Sequence, residues 1–255
     1  MCFELDSLPP ILPIAGAAVD SEDLELEASD GTKFAAFEAR AEEPLGPAVL
    51  VLPDVRGLYH FYEELALRFA ERGYDAVAID YFGRTAGIGK RDDEFSFMDH
   101  VMKTNTDGIA ADTRAAVERL RSRGGQSDRK VFTVGFCFGG SNSWTQAANG
   151  HGLAGVVGFY GHPTRAGFPG GAQAVIERVG EFSCPVLGLL GGADESIPKQ
   201  EIDAFDEALG AAGVEHELIT YPDAPHSFFD RSFAEHAEAS ADAWERVLSF
   251  IEENS

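Results

Sequence analysis

Lysine is nearly missing from this chain. Only Lys33, Lys90, Lys103, Lys130 and Lys199 carry it, and arginine supplies most of the 20 basic residues. Against them stand 43 acidic residues, for a formal net charge of −23 at pH 7 in 255 residues. A chain so poor in positive charge has no basic face to set against phosphates, which excludes nucleic-acid binding. It is also repelled by an anionic membrane surface. Long apolar runs are missing too, and no stretch approaches the roughly 20 residues that a membrane helix requires. The opening residues, Met1-Cys2-Phe3-Glu4-Leu5-Asp6, lack the basic start of a signal peptide. The expected location is therefore the cytoplasm. A dense acidic surface suits a salty cytoplasm, and a plain compositional bias gives the same surface; stability followed from low to molar salt separates the two. There are only three cysteines, Cys2, Cys137 and Cys184. Their odd number and wide spacing exclude a disulfide framework. No Cys-x-x-Cys or His-Glu-x-x-His pattern occurs, so neither a metal nor another cofactor is expected.

What is present is enough apolar material, 44% of residues, for one large core. The length fits a single α/β domain over residues 1–255, with residues 1–20 as an N-terminal arm. Leu24 to Glu27 alternates, Gly31 turns the chain, and Lys33 to Glu38 follows, which predicts a leading antiparallel hairpin. The continuous apolar run at 48–52 reads as a strand buried on both faces, and 155–160 as another buried strand; 75–80, 131–134, 185–190 and, last, 216–221 read as further strands. Between them lie helical patterns at 62–70, 107–121 and 141–148, a helix opening at Lys199, and a closing helix from Phe233 to Ile251. The segment from Tyr81 to about Thr106, with Gly87, Gly89 and the run Lys90-Arg91-Asp92-Asp93-Glu94, reads as an exposed loop. Alternating strand and helix predicts a doubly wound, mainly parallel sheet with helices on both faces. In such sheets function gathers at the carboxyl ends of the strands.

Three loops at those ends carry chemistry. Gly135-Phe136-Cys137-Phe138-Gly139-Gly140 stands between a strand and a helix. A Gly-x-nucleophile-x-Gly turn in that setting is the nucleophile elbow of the α/β-hydrolase fold, here with cysteine. A cysteine at a helix N-terminus is favoured as thiolate, whereas a merely packed free cysteine is the competing reading. After Leu190 comes Gly191-Gly192-Ala193-Asp194-Glu195. Asp194 fits an acid that orients an imidazole; an aspartate that only caps a turn is the alternative, and Glu195 is a weaker candidate. After Tyr221 comes Pro222-Asp223-Ala224-Pro225-His226, where His226 can act as general base and acid. His162 also follows a strand and is its main rival. The order nucleophile, acid, histidine is that of the α/β-hydrolases. Oxyanion donors are expected from the Phe138 amide and from the Val55 amide, in the loop after Leu52.

With a cysteine at the elbow, residues 20–252 resemble the dienelactone hydrolase family. The resemblance rests on the elbow, on Gly191 to Asp194, on His226-Ser227-Phe228, and on Gly73-Tyr74 and Asp80-Tyr81-Phe82-Gly83-Arg84. It implies a Cys137–His226–Asp194 triad that cleaves esters or lactones through an acyl-cysteine, without a cofactor. It also implies substrate contacts. Arg84 falls on one arginine position that binds a substrate carboxylate; the second is Asp230 here, with Arg231 one residue on. Asp54 falls where the family has a glutamate beside the resting thiol. Arg56 is a further cation in this region, against its reading as a paired surface arginine, and Tyr160 joins the substrate-lining set. The partner expected is a small ester or lactone, and the chain is a monomer or a homodimer. A broad carboxylesterase without dienelactone activity is the nearest alternative. A non-catalytic ligand-binding or thiol redox-sensing protein on the same fold is a more distant one.

Overall fold

Strands without a solvent-facing side need cover on both faces, and five of the eight here are of that kind. β3 (Ala48–Leu52), β4 (Asp75–Ile79), β5 (Val131–Phe136), β6 (Gly155–Phe159) and β7 (Val186–Gly191) are buried at every position. In this computed structural model, residues 7–17, 19–89, 91–92, 94–123, 128–168 and 170–255 are described. Among them β1 (Val19–Glu27), β2 (Lys33–Ala41) and β8 (His216–Tyr221) complete one 8-stranded sheet, in the order β1-β2-β4-β3-β5-β6-β7-β8. β1 pairs antiparallel with β2, and β2 antiparallel with β4; every later pairing is parallel. The leading hairpin and the doubly wound sheet are thus as the sequence predicts. No residue of β8 is fully buried, as suits a strand at the sheet's edge.

Helices cover both faces. α1 (His60–Glu71) meets α7 (Ala237–Glu253) through Phe69 and Trp244, with ring centroids 4.7 Å apart. α5 (Phe138–Gln146) meets α6 (Lys199–Ala212) through Trp144 and Phe205, centroids 5.0 Å apart. α4 (Thr106–Ser122) starts at Asn105, whose side chain accepts the Gly108 N–H at 2.8 Å as an N-cap. Arginines are used to hold this frame. Buried Glu38 on β2 accepts from Arg119 at 2.8 Å, Arg123 at 2.9 Å and Arg40 at 3.0 Å, which ties α4 to the sheet. Among the described residues, no helix is long and apolar enough to cross a membrane.

Three segments differ from the sequence reading. The 81–106 segment is not simply an exposed loop: it holds α2 (Gly83–Ala86) and α3 (Phe97–Val101). Arg91, read as part of a solvated charge run, is buried. Its guanidinium grips Asp80 at 3.1 and 2.7 Å and lies over the Phe95 ring at 4.6 Å. Its neighbours Lys90 and Asp93 lie outside the described residues, as do Cys2 and the rest of residues 1–6. The connection from β6 to β7 contains a 3-10 helix, Val175–Glu181, that the sequence pattern did not announce. The last helix begins at Ala237 rather than Phe233, because residues 232–236 close turns in which Glu235 and His236 donate to the Ser232 carbonyl.

Candidate active site

The turn between β5 and α5 is built by what it cannot hold. A Cβ at Gly135 would come 1.9 Å from the Gly139 carbonyl oxygen, and one at Gly139 would come 2.0 Å from that of Leu52. Glycine is therefore required at both positions for α5 to start directly above β3 and β5. Cys137 takes the resulting bend, with φ 54° and ψ −112°. Such a backbone costs of order 1–3 kcal/mol and survives only where its surroundings fix it. Here the Cys137 N–H donates to the Phe159 carbonyl at 3.0 Å, and the Cys137 carbonyl accepts the Ser141 N–H at 3.2 Å. The bend presents the half-buried sulfur at the N-terminus of α5, whose unpaired amides favour negative charge. Phe138 is the first residue of that helix, so its N–H has no partner within it.

Asp194 lies in the turn after β7 and is 5% exposed. Its Oδ2 is 2.6 Å from His226 Nδ1. Its Oδ1 accepts both the N–H of Ser196, at 2.9 Å, and the Ser196 hydroxyl, at 2.6 Å. Burial pushes the Asp194 carboxyl up, but His226 and Ser196 together hold it below the ordinary value. Glu195 is exposed, so the acid beside the ring is Asp194. His226 also shares a side-chain hydrogen bond with Cys137. Burial pulls its imidazole down, yet Asp194 and Cys137 outweigh it and raise the ring from 6.5 to about 10. With Nδ1 engaged by Asp194, Nε2 is the nitrogen left for the sulfur. His162 lies near, its ring centroid 6.0 Å from that of His226. It has gained no carboxylate, and burial with the charges of Arg165 and His226 lowers it to about 4.

The other residues named from sequence divide. Asp54 and Arg56 are buried in the turn after β3. Asp54 Oδ1 accepts the Arg56 N–H at 2.8 Å, Arg56 Nε is 3.5 Å from Asp54 Oδ2, and the guanidinium lies over Tyr59 at 5.2 Å. In this turn the Asp54 N–H goes to the Tyr62 hydroxyl and the Gly57 N–H to the Asp54 carbonyl. Neither bond uses the N–H of Val55, which stands between them. Tyr160 packs its ring 4.9 Å from His226, and its hydroxyl donates to Asp230 Oδ2 at 2.7 Å. Asp230 is fully buried; burial pushes its carboxyl well above the ordinary range, the Tyr160 bond pulls against that, and the negative charges of Asp54 and Cys137 add to it. Arg231 is exposed, and its N–H donates to Asp230. Arg84 is engaged elsewhere: its guanidinium donates to Asp112 at 2.6 Å and to Asp30 at 2.9 and 3.0 Å. Sequence reasoning passed over Ser196. The Asp-x-Ser spacing, which allows a side chain to bond the backbone two residues on, is the signal that marks it.

A cysteine elbow above β5, with an acid after β7 and a histidine after β8, defines an α/β-hydrolase. A profile of the Dienelactone hydrolase family matches residues 34–255, and the chain belongs to that family. It is 28% identical over 254 residues to the "Putative carboxymethylenebutenolidase" of Escherichia coli, which covers 96% of this chain and 94% of the relative. A protein of the same name from Saccharolobus solfataricus is 29% identical over 259 residues, covering 88% of this chain and 95% of the relative. Among solved structures, the "Putative Dienelactone Hydrolase" of Klebsiella pneumoniae superposes with a TM-score of 0.81 at 26% identity, covering 92% of this chain and 99% of the other. The protein is accordingly a hydrolase of the dienelactone hydrolase type.

Proposed function

We propose that the protein hydrolyses small carboxylic esters or lactones through an acyl-cysteine, with Cys137 as nucleophile, His226 as proton carrier and Asp194 as its orienting acid. The observation that carries this reading is His226 itself, bonded through Nδ1 to Asp194 at 2.6 Å while its ring also bonds Cys137. An imidazole raised to about 10 by those two partners is imidazolium at neutral pH, the form that favours a thiolate beside it. In acylation the thiolate attacks the carbonyl carbon, and the oxyanion is met by the amides of Phe138 and Val55. The C–O bond then breaks, and the imidazolium gives its proton to the departing alkoxide. Sulfur, now a thioester, has lost its charge, so the support that Cys137 gave the imidazolium is gone. The ring, now neutral, can take a proton from water, whose oxygen attacks the thioester and releases acid and thiolate.

One observation favours uncharged esters over the dienelactone type. The carboxylate of a dienelactone asks for a cation, and the surroundings of Cys137 supply buried Asp54 and Asp230, with Arg56 beside Asp54 and Arg84 committed to Asp30 and Asp112. A broad carboxylesterase is therefore the second reading. Intact-mass analysis after brief exposure to p-nitrophenyl acetate tests the mechanism: one acetyl group on the wild type and none on Cys137→Ala is expected. An unmodified wild type that still hydrolyses the ester would remove the acyl-cysteine. Parallel assays on dienelactone and p-nitrophenyl acetate test the substrate, and turnover of the second alone supports the esterase reading.

A further inference from the structure

The two amides assigned to the oxyanion lie far apart in sequence, on the turn after β3 and at the start of α5. The two segments meet where a Cβ on Gly139 would collide with the Pro53 carbonyl oxygen. Residues 80–82, just past β4, reach both of them. The Tyr81 hydroxyl donates to the Pro53 carbonyl at 2.9 Å, and the Tyr81 ring meets that of Phe138 edge-on, centroids 5.3 Å apart. Asp80 Oδ1 accepts the Leu58 N–H at 3.1 Å. Both ends of the 53–58 turn are therefore held from one place.

What that hold fixes follows from the peptide plane, in which N–H and C=O point opposite ways. The peptide between Pro53 and Asp54 is gripped on both sides, its carbonyl by Tyr81 and its N–H by the Tyr62 hydroxyl at 3.0 Å. In the next peptide the Asp54 carbonyl accepts the Gly57 N–H at 3.1 Å, and this sets the direction of the Val55 N–H in the same plane. Gly57 takes φ 82°, and a Cβ there would collide with Asp80 Oδ1, so the turn rests directly on that carboxylate. Asp80 is fully buried and answers four donors. Besides Leu58 these are the Phe82 N–H at 2.8 Å and the Arg91 guanidinium at 3.1 and 2.7 Å. Arg91 comes from the 81–106 connection and lies over Phe95, so that connection also bears on the turn. Burial and the charges of Asp54, Asp80 and Cys137 hold the Tyr81 phenol well above its ordinary range, which keeps it a donor. We propose that Asp80 and Tyr81 are positioning residues of the oxyanion site. Together they set the Val55 amide against that of Phe138, and Arg91 completes the brace by fixing Asp80. The proposal rests on the hydrolase reading above.

The test uses Tyr81→Phe, Arg91→Ala and Arg91→Lys, with p-nitrophenyl acetate as substrate and trifluoroacetone as inhibitor. The ketone carbon takes the Cys137 thiolate in an S–C bond, and the carbonyl electron pair moves to oxygen. The adduct is a tetrahedral oxyanion with no group to expel, so its Ki reports the oxyanion site. Tyr81→Phe keeps the ring beside Phe138 and loses the Pro53 bond. Its kcat/KM should fall about tenfold and its Ki rise by the same factor, the scale of one hydrogen bond. Arg91→Ala should behave alike, and Arg91→Lys, which keeps a cation beside Asp80, should recover part of both losses. Alkylation of Cys137 by iodoacetamide forms no oxyanion. Its rate, followed on the Cys137 peptide by mass, should stay within about twofold of wild type in all three, because the thiolate is undisturbed. Alkylation that falls as far as kcat/KM would reduce these residues to general packing and overturn the proposal. A Ki unchanged in Tyr81→Phe would also overturn it, as would a wild type that is acetylated on Cys137 but not inhibited by the ketone. Each of those results leaves the acyl-cysteine reading standing when the wild type is acetylated. A wild-type Cys137 that takes neither acetyl nor ketone would bring down both.

Discussion

His226 and His162 both follow a strand of the same sheet, both are largely buried, and their rings stand 6.0 Å apart. Burial acts on both in the same direction, against the charged ring. Yet one is raised to about 10 and the other lowered to about 4. The difference is a partner. The loop after β7 brings Asp194 to within 2.6 Å of His226 Nδ1, and the elbow supplies Cys137 to the same ring. After β6, the His162 backbone bonds the Ser141 hydroxyl, while burial and the charges of Arg165 and His226 outweigh the distant charge of Asp194 on its ring. Position after a strand therefore does not raise an imidazole; a buried carboxylate on its far nitrogen does.

The comparison can be broken most severely at the sulfur. Cys137→Ala should lower kcat on p-nitrophenyl acetate by on the order of 10⁵-fold or more, as loss of a nucleophile does elsewhere. Asp194→Asn should come next, at roughly 10⁴-fold in kcat, because the wrong tautomer is then favoured at His226. The pH dependence of stability should differ in sign between the two rings. A raised folded value means that His226 stabilises the fold fully below 6.5 and loses that contribution as pH rises toward about 10. A lowered one means that His162 contributes above 6.5 and loses its contribution as pH falls toward about 4. The Tm difference between wild type and His226→Gln should therefore shrink on the alkaline side, and that between wild type and His162→Gln on the acid side. Ser196→Ala should be milder: kcat/KM falls about fivefold, the scale of one hydrogen bond. Ser196→Thr, which keeps the hydroxyl that Asp194 accepts, should restore it. His162→Gln should change kcat/KM on p-nitrophenyl acetate by less than about twofold, since its ring carries no proton in the proposed reaction.

The same contrast explains what could be read from sequence. The central strands were legible because Ala48 to Leu52 and its counterparts have no polar face to expose. The elbow was legible because its steric needs write glycine at 135 and 139. Asp194 and His226 followed from their order along the chain. Pairings between distant residues were not legible. Arg84 reads as a free cation until the fold brings Asp30 and Asp112 to it, and Arg91 reads as solvated until Asp80 and Phe95 enclose it. Asp230 reads from the resemblance as a position facing the substrate, and the fold buries it under the Tyr160 hydroxyl. A chain with so few basic residues places them largely by tertiary contact, which local pattern does not record.

The most direct measurement is a ¹⁵N NMR titration of the histidine side chains in the resting enzyme. The account predicts that, at neutral pH, His226 is doubly protonated and His162 neutral, and that in Cys137→Ala the His226 titration moves downward. A neutral His226 at neutral pH, with no response to loss of the sulfur, would contradict it.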